Sequence, residues 1–125
     1  MKVRILIIDD EPRWIKFAKS DLSRFEIDVA PDAKTALSKL EEATFDLVIT
    51  SSKNLDALEK IAERHKEKRV VVTTIQPNTQ EALSAYRLGA VRYFAKSFRQ
   101  EDLLNRVREV IPTSTNQQQV SPPAQ

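Results

Sequence analysis

Five short apolar runs rich in Val, Ile and Leu recur along the chain, and the stretches between them carry apolar residues at helical spacing. Such a chain buries its runs as a parallel sheet, with each crossover helix folded back over a face. The runs cover residues 3–8, 25–30, 45–50, 70–75 and 91–96. The first is almost unbroken Val, Ile and Leu, as a strand covered on both faces requires. The spacing predicts five strands alternating with five helices, an α/β chain of order (βα)5, doubly wound.

The helices have readable ends. Pro12 suits a first helical turn, and Ile15, Ala18 and Leu22 form a stripe that carries the first helix to about residue 24. Asp32 is placed to cap the second, whose Ala33, Ala36, Leu37 and Leu40 repeat at helical intervals. Asn54 is the expected cap of a third helix to about residue 68, with Leu55, Leu58, Ile61 and Ala62 inward. Asn78 to Glu81 and Ser97 to Gln100 both have capping-box spacing, opening the fourth and fifth helices. Gly89, the only glycine, stops the fourth.

The 125 residues suit one domain. It is expected to span residues 1–111, because 112–125 shift to Thr, Ser, Asn, Gln and Pro and read as a disordered polar tail. Hydrophobic residues at 41% and charged residues at 30% fit a globular chain. No apolar run nears the roughly 20 residues that cross a bilayer, and the first residues lack a signal-peptide pattern. The expected location is the cytoplasm. The absence of cysteine excludes disulfides, thiolate-held metals and thiol catalysis. A net charge of +2 gives only a weak overall field and argues against nucleic-acid binding.

Parallel α/β sheets place their chemistry at the carboxyl ends of the strands. Here those ends carry Asp9, Asp10, Thr50, Ser51, Thr74 and Lys96, a set of carboxylates, hydroxyls and one ammonium. Asp9 and Asp10 equally suit the positive end of a helix dipole without any ligand, and Thr74 suits a strand simply as a β-branched residue. Ser51 reads as a turn serine. His65, within a run of charged residues, reads as a solvated helix-end residue rather than a phosphotransfer histidine. Glycine-rich phosphate turns are absent, which excludes a nucleotide or flavin module built on them.

Taken in order, Ile5 to Pro12, Thr74 after three valines, and Gly89 to Lys96 resemble the corresponding segments of bacterial response regulator receivers. The resemblance covers the chain up to the tail. It implies a CheY-like, flavodoxin-like fold with strand order 2-1-3-4-5, Asp9 and Asp10 as an acidic pocket that holds Mg²⁺, Thr74 and Tyr93 as switch residues, and Lys96 as the family's lysine. The fourth helix, fifth strand and fifth helix would form the dimerisation and output face, on which Tyr86, Arg87, Arg92, Tyr93 and Arg99 stand. A histidine kinase or an output protein would be the partner.

The departures point elsewhere. Where such receivers carry a phosphoacceptor aspartate, the register gives Ser51. The loop that follows is several residues shorter, and Ser97 replaces the proline after the lysine, so the Lys96–Ser97 bond is expected trans. A serine hydroxyl is a poor nucleophile without a base, and Mg²⁺, which prefers several oxygen ligands, would bind weakly or not at all. The expected function is an atypical, phosphorylation-independent protein-interaction module, not an enzyme. The alternative is a relay receiver that accepts a phosphoryl group at Asp56 or Ser51 with Mg²⁺.

Overall fold

The computed structural model describes residues 2–111. It contains β1 (Arg4–Ile8), α1 (Pro12–Asp21), β2 (Glu26–Ala30), α2 (Ala33–Glu42), β3 (Leu47–Ser51), a 3₁₀ turn (Ser52–Asn54), α3 (Leu55–Arg64), β4 (Val70–Thr74), α4 (Thr79–Arg87), β5 (Arg92–Ala95) and α5 (Asp102–Val110). The strands lie in the order β2-β1-β3-β4-β5 and every adjacent pair is parallel. The expected disordered tail lies outside the described residues. No helix among them is long and apolar enough to cross a membrane.

The strand sequences explain why the sheet is covered twice. Every residue of β3 and β4 is buried, as are Ile5 to Ile8 of β1. Successive side chains on a strand face opposite ways. Leu6 and Ile8 therefore pack with Leu37, Leu58 and Ile61 on the α2/α3 face, while Ile5 and Ile7 pack with Trp14, Leu103 and Val107 on the α1/α5 face. Two alternating apolar faces on one strand are what an unbroken Val/Ile/Leu run supplies.

Helix ends are where local expectations meet long-range contacts. Asp32 and Asn78 cap α2 and α4, accepting from the amides of Thr35 and Glu81 at 2.8 Å. At Gly89, with φ of 108°, the chain leaves α4 through a Schellman motif: Gly89 N–H donates to Tyr86 O and Ala90 N–H to Ala85 O. The α1 stripe runs through Trp14 instead of Ile15, because Trp14, Ala18 and Leu22 are the fully buried members.

Two expected caps are corrected. Asn54 makes no side-chain cap bond; the chain first tightens into the 3₁₀ turn, and the Ser51 hydroxyl accepts from Lys53 N–H at 3.2 Å. Ser97 does not cap α5 either. Its hydroxyl accepts from Arg99 N–H and donates to Asp102 Oδ2 at 2.7 Å. The α5 amides of Glu101 and Leu104 are instead bonded by the two carboxylate oxygens of Asp21, the last residue of α1, at 2.7 and 2.9 Å. Glu101, at the α5 N-cap, adopts the left-handed conformation with φ of 72°.

Candidate functional site

The rim at the carboxyl ends of β1, β3, β4 and β5 gathers most of the polar residues that the strand ends suggested. Asp9 follows β1 directly and is 1% exposed; its Oδ1 accepts from Glu11 N–H at 3.0 Å. Lys96 follows β5, and its backbone N–H donates to Thr74 O at 2.7 Å, which aims the side chain across the rim. Its Nζ lies 2.9 Å from Asp9 Oδ2 and donates to Glu11 Oε1 at the same distance. The Asp9 contact is an ion pair outside hydrogen-bonding angles, while the Glu11 contact is a directed hydrogen bond. The ammonium also stands 5.6 Å from the Trp14 ring centroid, a cation–π distance.

This triad differs from the expected pair of adjacent aspartates. Asp10 is exposed and takes part in no ion pair among the described residues, and Glu11 supplies the second carboxylate. One cation enclosed by two carboxylates leaves it nothing to offer an incoming anion without breaking a contact.

Beside the triad, the ends of β3 and β4 present hydroxyls. Ser51 and Thr74 are each 3% exposed, and Thr50 is fully buried with its hydroxyl donating to Ser51 O at 3.3 Å. Ser52, in the 3₁₀ turn, donates to Thr74 Oγ1 at 3.1 Å. A pocket of about 300 Å³ opens over them, lined in part by Ser51, Ser52, Thr74, Glu81 and Lys96. Asp56 lies exposed in the first turn of α3 and is not among the lining residues. Among the described residues no group of three or more His, Asp or Glu side chains is arranged to hold a metal ion. With Asp9 already engaged by Lys96, the donors present do not fit a tightly held Mg²⁺.

Tyr93 is bonded to two of the residues that line this pocket, Glu81 and Asn78. Its hydroxyl donates to Glu81 Oε1 at 2.6 Å and accepts from Asn78 N–H at 3.2 Å. In the expected capping box Glu81 would itself reach back to the Asn78 amide; here the Tyr93 hydroxyl is inserted between the two. Burial pushes the Glu81 carboxyl up, but hydrogen bonding from the hydroxyls of Tyr93, Thr74 and Ser52 outweighs it and holds the group below its ordinary value. Burial and the Glu81 carboxylate together push the Tyr93 hydroxyl up. The sequence marked Glu81 only as a helix-start residue; its place on the rim depends on Tyr93, twelve residues away, and on a β5 register that local spacing does not carry.

The residues proposed for an interaction face lie on α4, β5 and the loop beyond. Tyr86 is 48% exposed, Arg87, Arg92 and Arg99 are exposed, and Arg106 of α5 stacks over Phe94 at 5.0 Å. His65 terminates α3 at the end opposite the pocket.

A five-stranded parallel sheet in this order, with a lysine after β5 set against a buried aspartate after β1 and a hydroxyl ending β4, defines a receiver-type signalling domain. The family model for the response regulator receiver domain matches residues 5–108, and the chain belongs to that family. It is similar to the response regulator ArlR of Staphylococcus saprophyticus, at 26% identity over 86% of this chain and 52% of that protein. It is also similar to the acid tolerance regulatory protein ActR of Rhizobium meliloti, at 29% identity over 80% of this chain and 55% of that protein. The chain thus spans about half the length of these curated relatives. A CheY-like receiver domain from Methanospirillum hungatei superposes with a TM-score of 0.79 at 25% identity, over 87% of this chain and 93% of that one.

Proposed function

We propose that this chain is an atypical receiver of a two-component type pathway that acts by binding a protein partner and runs no phosphoryl cycle. The observation that carries this reading is the end of β3. The strand delivers the Ser51 hydroxyl to the pocket, beside a lysine already neutralised by Asp9 and Glu11. A serine attacks a phosphoryl donor only when a base takes its proton, and the one histidine of the chain ends α3 away from the pocket. Asp9, Glu11 and Lys96 then form a permanent charge cluster, with Asp10 outside it and Mg²⁺ bound weakly or not at all.

The exposed Tyr86, Arg87, Arg92 and Arg99 suit a partner with an acidic surface, a histidine kinase or an output protein of the cytoplasm, because aromatic and arginine side chains are enriched at protein interfaces. A second copy of the chain pairing through α4, β5 and α5 would use the same surface. A role in nucleic-acid binding is disfavoured by the net charge of +2.

Incubation with acetyl phosphate and Mg²⁺ followed by intact-mass measurement tests this reading. The expected result is an unchanged mass. A stoichiometric phosphoryl adduct mapped to Asp56 or Ser51 would establish a relay receiver in its place.

A further inference from the structure

We propose that Glu81 is a built-in latch: its carboxylate lines the hydroxyl pocket and, through Tyr93, fastens the start of α4 to β5, so that the α4–β5 surface is held in one conformation. This deepens the reading of a phosphorylation-independent module and rests on it.

The geometry is a closed set of contacts among three residues, Tyr93 of β5 and Asn78 and Glu81 at the start of α4. Tyr93 of β5 donates to Glu81 Oε1 at 2.6 Å, short enough for a charge-assisted bond, and the same hydroxyl accepts the Asn78 amide at 3.2 Å. Asn78 in turn caps Glu81 N–H at 2.8 Å. Glu81 also lines the pocket with Ser52 and Thr74, which are bonded to each other at 3.1 Å. Lys53 and Lys96 line the same pocket, but neither forms an ion pair with Glu81 among the described residues, and its carboxylate is stabilised by the hydroxyls of Tyr93, Thr74 and Ser52. An anion supplied by the protein's own α4 therefore lines the wall of the pocket at the ends of β3 and β4 and is tied to β5 through Tyr93. Tyr86 and Arg87 lie on α4 and Arg92 on β5, so a fixed α4–β5 junction presents them together.

The test uses the full chain carrying Tyr86→Phe, which leaves Tyr93 as the single tyrosine. Three quantities are followed in this background and in its Glu81→Gln and Glu81→Ala derivatives: the ring resonances of Tyr93, its ionisation by ultraviolet absorbance, and hydrogen exchange at the Asn78 amide. The latch predicts one set of Tyr93 ring signals and an ionisation above the ordinary tyrosine value. Glu81→Gln retains an acceptor but no charge, so it lowers the ionisation while keeping most of the exchange protection. Glu81→Ala removes both and speeds Asn78 exchange by about tenfold or more. Exchange at Ile7 and Val71 reports whether the core remains folded. Should Glu81→Ala fail to fold, Glu81→Gln still decides, because an unchanged Tyr93 ionisation in that variant overturns the latch. Tyr93 signals averaged between two environments in the parent would overturn it as well. A phosphoryl adduct on the wild-type chain would instead defeat the functional reading, and that result is separable from all three readouts.

Discussion

Lys96 Nζ and Asp9 Oδ2 stand 2.9 Å apart with side chains 4% and 2% exposed, a fully enclosed ion pair between the loop after β5 and the loop after β1. Taking two charges out of water costs nearly as much as their attraction returns, so the pair itself adds little to stability. Removing one partner is different, because the other is left buried and unpaired.

Lys96→Ala is accordingly expected to destabilise the domain by about 3–5 kcal/mol, a large share of a typical domain's stability. The double variant Lys96→Met with Asp9→Asn should recover most of that loss. Urea denaturation of the three chains checks this, and a single variant within about 1 kcal/mol of wild type would show that the pair is hydrated in solution.

Asp21 is expected to matter more than its position at the end of a helix suggests. Both of its carboxylate oxygens receive α5 amides, so Asp21→Ala should cost about 1–2 kcal/mol and raise hydrogen exchange selectively at Leu104. Asp21→Asn, which keeps acceptor oxygen but loses the charge, should fall between. Equal exchange at Leu104 in all three would remove the capping role.

Gly89 is required for its backbone conformation and not for space. A Cβ placed there would meet Ala62 Cβ at 3.9 Å, an ordinary contact, whereas φ of 108° is strained for any other residue. Gly89→Ala should cost about 1–2 kcal/mol, and Gly89→Asn less. Thermal melts of the two variants separate a conformational cost from a steric one, since the larger asparagine would be the worse of the two if space were limiting.

The Glu81 carboxyl is held below its ordinary value of 4.5 in the folded chain. Its contribution is therefore complete above that pH and is lost as the pH falls through the lower folded value. Glu81→Gln should be less stable than wild type at neutral pH, and the gap should close in acid, where both side chains are uncharged. Tyr93 titrates in the opposite sense: its hydroxyl is raised above 10.0, so its contribution is intact below that pH and lost on moving above it. Denaturation midpoints for the two chains between neutral and strongly acid pH check the first sign.

The sheet was legible because its central strands must satisfy two covers at once, and only unbroken runs such as Ile5 to Ile8 or Val70 to Val72 do so. Asp32 and Asn78 were equally readable, since a cap and its amide lie three residues apart. What escaped depends on distance along the chain. Asp21 reaches an amide 83 residues away, so the Ser97 spacing, though locally adequate, lost to a carboxylate delivered by packing. The choice of Glu11 over Asp10 as partner to Lys96 was hidden too. It is settled by how the chain turns after Asp9, whose Oδ1 holds the Glu11 amide, and neighbouring acids do not disclose that turn. Tyr93 was singled out, but its acceptor Glu81 passed as a helix-start residue.

The alternation along β1 carries a rule about which chain lengths the fold tolerates. Ile5 and Ile7 belong to one cover and Leu6 and Ile8 to the other, so deleting a single residue within the strand would interchange the tenants of two differently shaped cavities. It would also turn Asp9 away from its cation. The number of residues from the start of β1 to the charged rim is thereby fixed by packing, independently of the chemistry at the rim.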